Sequence, residues 1–123
     1  MFAPETLIPR SIDKLGAKLC RSREEALDGA DVVMGLRIQL ERQEAGAFPS
    51  LGEYAANFGV DEKALALAKP NAIVLHPGPV NRGVELASGV IDHERSHIED
   101  QVLSGVAVRM AVLALLSEGN KEN

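Results

Sequence analysis

Two short polar segments carry residue types that could bind a small anionic ligand. The first begins at Arg37, three residues after the apolar run Val32–Met34, where a buried charge needs a partner. The planar guanidinium of an arginine can hold a carboxylate or a phosphate through two hydrogen bonds. If the segment is extended, Gln39 faces the same side as Arg37. The alternative is a surface loop with an intramolecular ion pair.

The second segment is His76-Pro77-Gly78-Pro79, which directly follows the apolar run Ala72–Leu75. Two prolines around one glycine make a stiff loop, and its carbonyl groups could accept hydrogen bonds from an amino group of a ligand. Pro79 is a candidate for a cis peptide bond. His76 could equally be a packed structural histidine, and the whole loop could be a tight turn that binds nothing.

A third segment, His93-Glu94-Arg95-Ser96-His97, matches the H-E-x-x-H pattern of zinc peptidases. That chemistry needs both histidines on one face of a helix, a third ligand and an open coordination position. Ser96 looks like a helix start inside the motif, so the pattern favours a solvated polar loop, with a zinc peptidase as the less favoured alternative. Cys20 has no activating neighbour and is expected to be a small core residue.

Capping residues and apolar runs predict the elements that would position these segments. The expected elements are a helix over Pro9–Leu15, a weak strand over Lys18–Cys20, helices capped by Ser22, Ser50 and Asp61 (the last through Ala68), and strands over Val32–Met34 and Ala72–Leu75. Apolar strands that alternate with helices predict an α/β fold with a parallel sheet. Such sheets place their sites at the carboxyl ends of the strands, where Arg37 and His76 lie.

Length and composition exclude several classes of function. The 123 residues suit a single domain. The net charge of −5 offers no basic surface for nucleic acid or an anionic membrane. A lone cysteine requires no oxidising compartment. No segment is expected to be apolar over the ~18–20 residues of a membrane span. The start, Met1–Glu5, reads as the end of a strand whose earlier part is missing rather than as a signal peptide.

The last predicted helix runs from Ser96 to about Ser117 and has no polar face. Every residue from Val106 to Leu116 is apolar except Arg109. A helix on the surface of a small domain normally has a polar side. We therefore expect this helix to be covered by another domain, another subunit or both, and we expect the tail that follows it to be disordered.

Three blocks of the sequence together resemble the catalytic chains of bacterial aspartate carbamoyltransferases. They are LRIQLER at residues 36–42, HPGPVNRGVE at residues 76–85 and QVLSGVAVRMAVL at residues 101–113. Ornithine carbamoyltransferases share the fold but usually carry a cysteine in the loop at residues 76–79, so they are disfavoured. The resemblance implies a Rossmann-like aspartate-binding domain, a parallel sheet flanked by helices. It also implies transfer of the carbamoyl group of carbamoyl phosphate to L-aspartate in pyrimidine biosynthesis, without a metal or organic cofactor.

The resemblance also implies roles for individual residues of the first block. Arg37 would grip an aspartate carboxylate, and Gln39 would assist it. Arg42 would lie in a mobile segment that helps two domains to close. Glu85, at the end of the second block, would orient neighbouring groups from behind the site.

In the same family pattern, the loop of the second block would bind carbamoyl phosphate. The carbonyl groups of Pro77 and Gly78 would meet the carbamoyl amino group and the attacking amine. Pro79 would hold the loop through a cis Gly78–Pro79 bond. The phosphate-binding segments of the family, Ser-Thr-Arg-Thr and His-Pro-x-Gln, have no match in this chain.

This pattern divides the chain into three parts. Residues 1–95 would form most of the aspartate-binding domain, residues 96–118 a C-terminal helix that packs on a missing carbamoyl phosphate domain, and residues 119–123 a tail. The complete protein would be a cytoplasmic homotrimer, with regulatory or dihydroorotase-like chains as further partners and no nucleic acid or membrane partner. The isolated chain is expected to be inactive. The alternative is a non-enzymatic α/β interaction module that binds a partner through its apolar helix.

Overall fold

The computed structural model describes residues 1–38 and 50–119. Within them the chain alternates between helices and two short strands. In chain order, α1 spans Arg23–Leu27, β1 Val32–Met34, α2 Leu51–Phe58, α3 Glu62–Leu65, β2 Ile73–Leu75, α4 Ser88–Ile91 and α5 Ile98–Gly119. Two short 3-10 turns, at Glu5–Leu7 and Ile12–Leu15, precede α1.

The two strands form a parallel pair in which Val33 lies opposite Val74. Parallel neighbours need a long crossover connection, and α2 and α3 lie in that connection. A further extended segment joins the other side of β2. The Val74 N–H donates to the carbonyl of Arg95 at 2.8 Å, and the Val74 carbonyl accepts from the N–H of His97 at 2.9 Å. The predicted parallel α/β fold is therefore confirmed.

The core lies between the sheet and the helices α3 and α4. Leu65, Val74, Leu86 and Val90 are all fully buried there. Burying an aliphatic side chain of this size stabilises a fold by about 1.5–3 kcal/mol. The aliphatic character of this cluster agrees with the small number of aromatic residues in the sequence.

One face of β1 is open. Val33 is buried, but Val32 and Met34 are 47% and 52% exposed. The expectation of a strand buried on both faces is therefore wrong for β1. An apolar run shows only that its side chains tolerate burial, whereas the layers packed on the sheet decide which face is covered.

Three helices begin where their capping residues predicted. The hydroxyl oxygens of Ser22 and Ser50 each accept the N–H of the residue three positions later at 3.1 Å. A carboxylate oxygen of Asp61 does the same for α3 at 2.8 Å. These bonds satisfy backbone donors that a helix leaves unpaired in its first turn. The helix after Asp61 ends earlier than expected, at Leu65 rather than Ala68.

The predicted start of the last helix at Ser96 is wrong by two residues. The N–H of His97 is held by the sheet, so the backbone at Ser96 and His97 stays extended and α5 begins at Ile98. The carbonyl of His97 then accepts from Gln101 at 3.0 Å as the first helical bond. The pairing of His97 with β2 therefore overrides the local capping signal at Ser96.

The structure differs from prediction at two places near the amino terminus. The helix expected over Pro9–Leu15 is only the 3-10 turn Ile12–Leu15. Lys18–Cys20 is not a strand, although the Cys20 N–H donates to the carbonyl of Met1 at 2.9 Å. Cys20 is partly exposed rather than a core residue. The Met1 amino group also donates to the carbonyl of Lys18 at 2.7 Å, but two bonds to a single residue are too few for a strand.

α5 has no polar face and little cover in this chain, as the sequence predicted. Every residue from 102 to 117 is exposed except Gly105, which is partly exposed. The expectation that no segment is long and apolar enough to cross a membrane is wrong, because Ile98–Ser117 qualifies by length and composition. That helix is also the segment expected to pack on a covering domain or subunit.

We expect Leu65→Ala to destabilise the chain by about 2–5 kcal/mol, because it leaves a cavity in the core. Leu115→Ala is the matched control, since Leu115 is 69% exposed whereas Leu65 is fully buried. We expect the control to change stability by less than about 0.5 kcal/mol. Urea unfolding followed by circular dichroism measures both variants, and equal losses would contradict this assignment of the core.

Candidate functional site

The two predicted binding segments leave the sheet side by side. The N–H of Gly35, one residue after β1, donates to the carbonyl of Leu75 at 3.0 Å, so the pairing continues to the end of β2. Gly35 has little room for a side chain, because a Cβ there would come within 3.1 Å of the His76 ring and 3.2 Å of Leu86. Close packing therefore holds the start of the Arg37 segment against His76.

His76 is fully buried and forms a hydrogen bond within its own loop. Its Nδ1 accepts the N–H of Gly78 at 3.0 Å, which requires an unprotonated Nδ1. The neutral ring then carries its proton on Nε2, which lies 3.3 Å from Oε1 of Glu85. Burial lowers the pKa of His76 below its ordinary value, and the nearby Glu85 carboxylate opposes that shift.

The loop after His76 has the conformation that its composition suggested. Gly78 has a positive φ of 68°, which favours glycine, and the Gly78–Pro79 peptide bond is cis. A methyl of Val102 would lie 3.1 Å from a Cβ at Gly78, so α5 packs against this loop. Pro77 and Pro79 are exposed. The loop thus exposes Pro77 and Pro79 to solvent, while Gly78 packs against α5.

Glu85 is buried beneath the loop, with only 4% of its surface exposed. Its Oε1 accepts the backbone N–H of Asn81 at 2.7 Å and faces His76. Its Oε2 has no hydrogen-bond partner within the described ranges 1–38 and 50–119. A buried carboxylate needs such partners, so His76 and Asn81 together keep it in place.

Asn81 connects the two binding segments. Its side-chain Nδ2 donates to the carbonyl of Ile38 at 3.3 Å, while its backbone N–H bonds to Glu85. Ile38 is buried and follows Arg37 directly. Arg37 is partly buried, and its Nε is shielded from solvent. The structure therefore links the backbone next to Arg37, through Asn81, to Glu85 beneath the Pro77–Pro79 loop.

Two predicted site residues, Gln39 and Arg42, lie outside the described residues. Sequence reasoning missed Asn81 as a connection and left open whether His76 was structural. No local pattern could have found the Asn81 contact, because its partner Ile38 is 43 residues away. The sequence signal for a structural His76 was the acidic residue Glu85, but its contact with His76 is visible only in the fold.

The H-E-x-x-H segment does not form a zinc site of the peptidase type. Its residues lie before α5, in a turn and an extended stretch, so the two histidines do not share a helix face. Nδ1 of His93 accepts the N–H of Arg95 at 3.2 Å, and Nδ1 of His97 lies 2.9 Å from a carboxylate oxygen of Asp100. Within the part of the chain that the structure describes, no three His, Cys, Asp or Glu residues are placed to hold a metal.

Fold and site together define a ligand-binding domain of the Rossmann-like type, with its candidate site at the carboxyl edge of a parallel sheet. The profile of the family described as "Aspartate/ornithine carbamoyltransferase, Asp/Orn binding domain" matches residues 10–116. The chain belongs to this family. The resemblance seen in the three sequence blocks is confirmed.

Curated relatives carry the name aspartate carbamoyltransferase catalytic subunit. The protein of Acetivibrio thermocellus is 64% identical over 114 residues, which cover 93% of this chain and 36% of the relative. The protein of Caldanaerobacter subterraneus subsp. tengcongensis is 56% identical over 115 residues, covering 94% of this chain and 38% of the relative. The chain therefore spans little more than a third of their length.

Solved structures agree with this placement. Aspartate transcarbamoylase from Trypanosoma cruzi, in complex with carbamoyl aspartate and phosphate, is 28% identical with a TM-score of 0.69, over 91% of this chain and 38% of that chain. Ornithine carbamoyltransferase from Burkholderia thailandensis E264 has the same TM-score at 24% identity, over 91% of this chain and 36% of that chain. The second likeness shows a shared fold.

We expect the stability of the chain to fall as the pH drops below about 6.5, the usual pKa of histidine. The pKa of His76 is lowered in the folded state, so the unfolded state takes up the proton first and unfolding becomes easier. The contribution is fully present above the unfolded-state pKa.

Urea unfolding at several pH values from about 7.5 to 5.5, either side of that pKa, measures the effect. His76→Asn is the reference variant, because its amide can accept from Gly78 but does not titrate. The same pH dependence in both proteins would show that His76 is not the responsible group.

Proposed function

We propose that the chain is the aspartate-binding part of an aspartate carbamoyltransferase. The reaction joins carbamoyl phosphate and L-aspartate to give N-carbamoyl-L-aspartate and phosphate, a step of pyrimidine biosynthesis. The single observation that carries the proposal is the junction of the Arg37 segment with the loop Pro77–Pro79 at one sheet edge. The names of the relatives and the ligands of the Trypanosoma cruzi structure support the choice of substrates.

In this proposal, catalysis comes from positioning and from hydrogen bonds rather than from a cofactor. The guanidinium of Arg37 holds an aspartate carboxylate, and Gln39 assists it. The aspartate amine attacks the carbamoyl carbon, the bond from that carbon to the phosphate oxygen breaks, and the departing phosphate takes up the proton that the amine gives up. The carbonyl groups of Pro77 and Gly78 accept hydrogen bonds from the carbamoyl amino group and from the attacking amine.

Three further residues support these groups in the proposal. Pro79 maintains the loop next to Gly78, and Glu85 orients the loop from below. Arg42 belongs to a segment that helps the enzyme to close around its substrates. No metal or organic cofactor is needed, because the amine attacks the carbamoyl carbon directly and phosphate departs from it.

We also propose a division of the chain. Residues 1–95 form most of the aspartate-binding domain, residues 96–118 cross to a carbamoyl phosphate domain, and residues 119–123 are a tail. The exposed apolar surface of α5 supports the crossing, because such a surface is normally covered. The complete enzyme would be a cytoplasmic homotrimer, with regulatory or dihydroorotase-like chains as further partners.

We expect the 123-residue chain alone to form no carbamoylaspartate, since it has no match to the phosphate-binding segments of the family. A chimera should be active, in which this chain replaces the matching 114-residue part of the Acetivibrio thermocellus subunit. A colorimetric assay for carbamoylaspartate measures both. Turnover by the isolated chain would contradict the first expectation, and an inactive but folded chimera would favour the interaction module.

In the chimera, we expect Arg37→Ala to lower kcat/KM for aspartate by about 10- to 100-fold, because a charged hydrogen-bonding contact is lost. Arg21→Ala is the matched control, since Arg21 is exposed whereas Arg37 is partly buried. Steady-state kinetics at varied aspartate concentration measures the effect. Equal kcat/KM values for the two variants would refute the assignment of Arg37.

A further inference from the structure

We propose that Asn81, together with the buried pair His76 and Glu85, sets the position of the Arg37 segment relative to the Pro77–Pro79 loop. These three are positioning residues, because they act through the groups that meet the substrates. The inference rests on the proposed function for its catalytic meaning. The contacts that join these three residues to the two segments, called the linkage below, are a property of the structure.

The first step of the argument concerns the Pro77 carbonyl. The Gly78 N–H belongs to the same planar peptide unit as this carbonyl, and in a trans unit the two groups point in opposite directions. The N–H points at Nδ1 of the buried His76, at 3.0 Å. The Pro77 carbonyl must therefore point away from the interior, toward the side on which a ligand could bind.

The second step concerns what holds His76 in turn. Its Nε2 faces Oε1 of Glu85 at 3.3 Å, and the same oxygen accepts the N–H of Asn81 at 2.7 Å. Nδ1 is thus held by the hydrogen bond from Gly78, whereas Nε2 makes a close electrostatic contact with Glu85 without the geometry of a hydrogen bond. The ring cannot rotate without losing these contacts. Glu85 is the common point at which both ends of the loop meet.

The third step extends the linkage to the other segment. The side chain of Asn81 donates to the carbonyl of Ile38 at 3.3 Å, next to Arg37 in the chain. A continuous series of contacts therefore runs from Gly78 through His76, Glu85 and Asn81 to Ile38. A shift of either segment must stretch this series.

Burial favours a positioning role over a purely stabilising one. His76 is fully buried and Glu85 nearly so, and a buried polar pair is a poor source of stability compared with apolar side chains of similar size. Such a pair does favour one arrangement, because a different one would lose the hydrogen bonds from Gly78 to His76 and from Asn81 to Glu85.

The decisive experiment uses the chimera with Asn81→Ala, which keeps the backbone N–H bonded to Glu85 but removes the bond to Ile38. Asn57→Ala is the matched control, because Asn57 also donates from its side chain to a backbone carbonyl, that of Glu53, at 3.0 Å. We expect Asn81→Ala to raise the KM for aspartate about fivefold or more, with a smaller change in kcat. We expect no change in the control. An unchanged KM in a folded Asn81→Ala chimera would overturn the proposal.

A pair of substitutions at His76 tests the other end of the linkage. The amide of His76→Asn can accept from Gly78 in place of Nδ1, whereas that of His76→Gln reaches toward Glu85 and leaves the Gly78 N–H unpaired. We expect the Asn variant to retain about tenfold higher kcat than the Gln variant. Equal kcat values, or a better Gln variant, would contradict the proposed role of Gly78. If neither variant folds, the Asn81 comparison decides.

Failure of the proposed function would be seen separately. It would appear as absent carbamoyl transfer in the unsubstituted chimera. The linkage is then tested in the 123-residue chain by ¹⁵N NMR. Asn81→Ala should shift the amide signals of Arg37 and Gly78, and Asn57→Ala should shift neither. An unshifted Arg37 signal in Asn81→Ala would overturn the linkage whatever the enzyme does.

Discussion

Because β1 and β2 run parallel and in register, the chain leaves the sheet twice at the same edge. The Gly35 bond to Leu75 continues the pairing into the following loops, and the lack of space at Gly35 keeps them in contact. An antiparallel pair would have placed the two exits at opposite ends of the sheet. The site therefore depends first on strand direction and only then on the identity of its polar residues.

Beneath that edge lies a small set of buried polar groups. His76 and Glu85 would be costly to bury separately; each accepts a hydrogen bond from a backbone N–H, and the two side chains lie 3.3 Å apart. The lowered pKa of His76 keeps the ring neutral, so that Nδ1 remains an acceptor for Gly78. If Nδ1 were protonated, its N–H would face the N–H of Gly78 and the hydrogen bond between them would be lost. The ionisation of His76 is therefore linked to the conformation of the loop.

The uncovered apolar surfaces are what the proposed division of the chain predicts. The chain spans 36% of the Acetivibrio thermocellus relative, and α5 and the open face of β1 leave large apolar side chains exposed. Apolar surface of this extent normally packs against protein. The same helix satisfies the length and composition of a membrane span, which shows that hydropathy alone does not distinguish a helix covered by lipid from one covered by protein.

The sequence by itself determined whatever depends on neighbours in the chain. The caps at Ser22, Ser50 and Asp61 follow from local hydrogen bonds, and the turn at Gly78 follows from backbone preferences. The order of apolar runs and helices indicated a parallel sheet, and the family resemblance implied the cis Gly78–Pro79 bond. The three sequence blocks at residues 36–42, 76–85 and 101–113 were sufficient to indicate the family, as the match over residues 10–116 confirms.

Only the tertiary structure decided the contacts between distant residues. His97 pairs with Val74 of β2, 23 residues earlier, and Asn81 bonds to Ile38, 43 residues earlier. His76 lies against Glu85, nine residues later in the chain. No local pattern encodes such pairings, because they arise only when burial of the core brings the segments together. For the same reason, the sequence showed that α5 lacks a polar face, but only the fold showed that residues 1–38 and 50–97 leave most of it exposed.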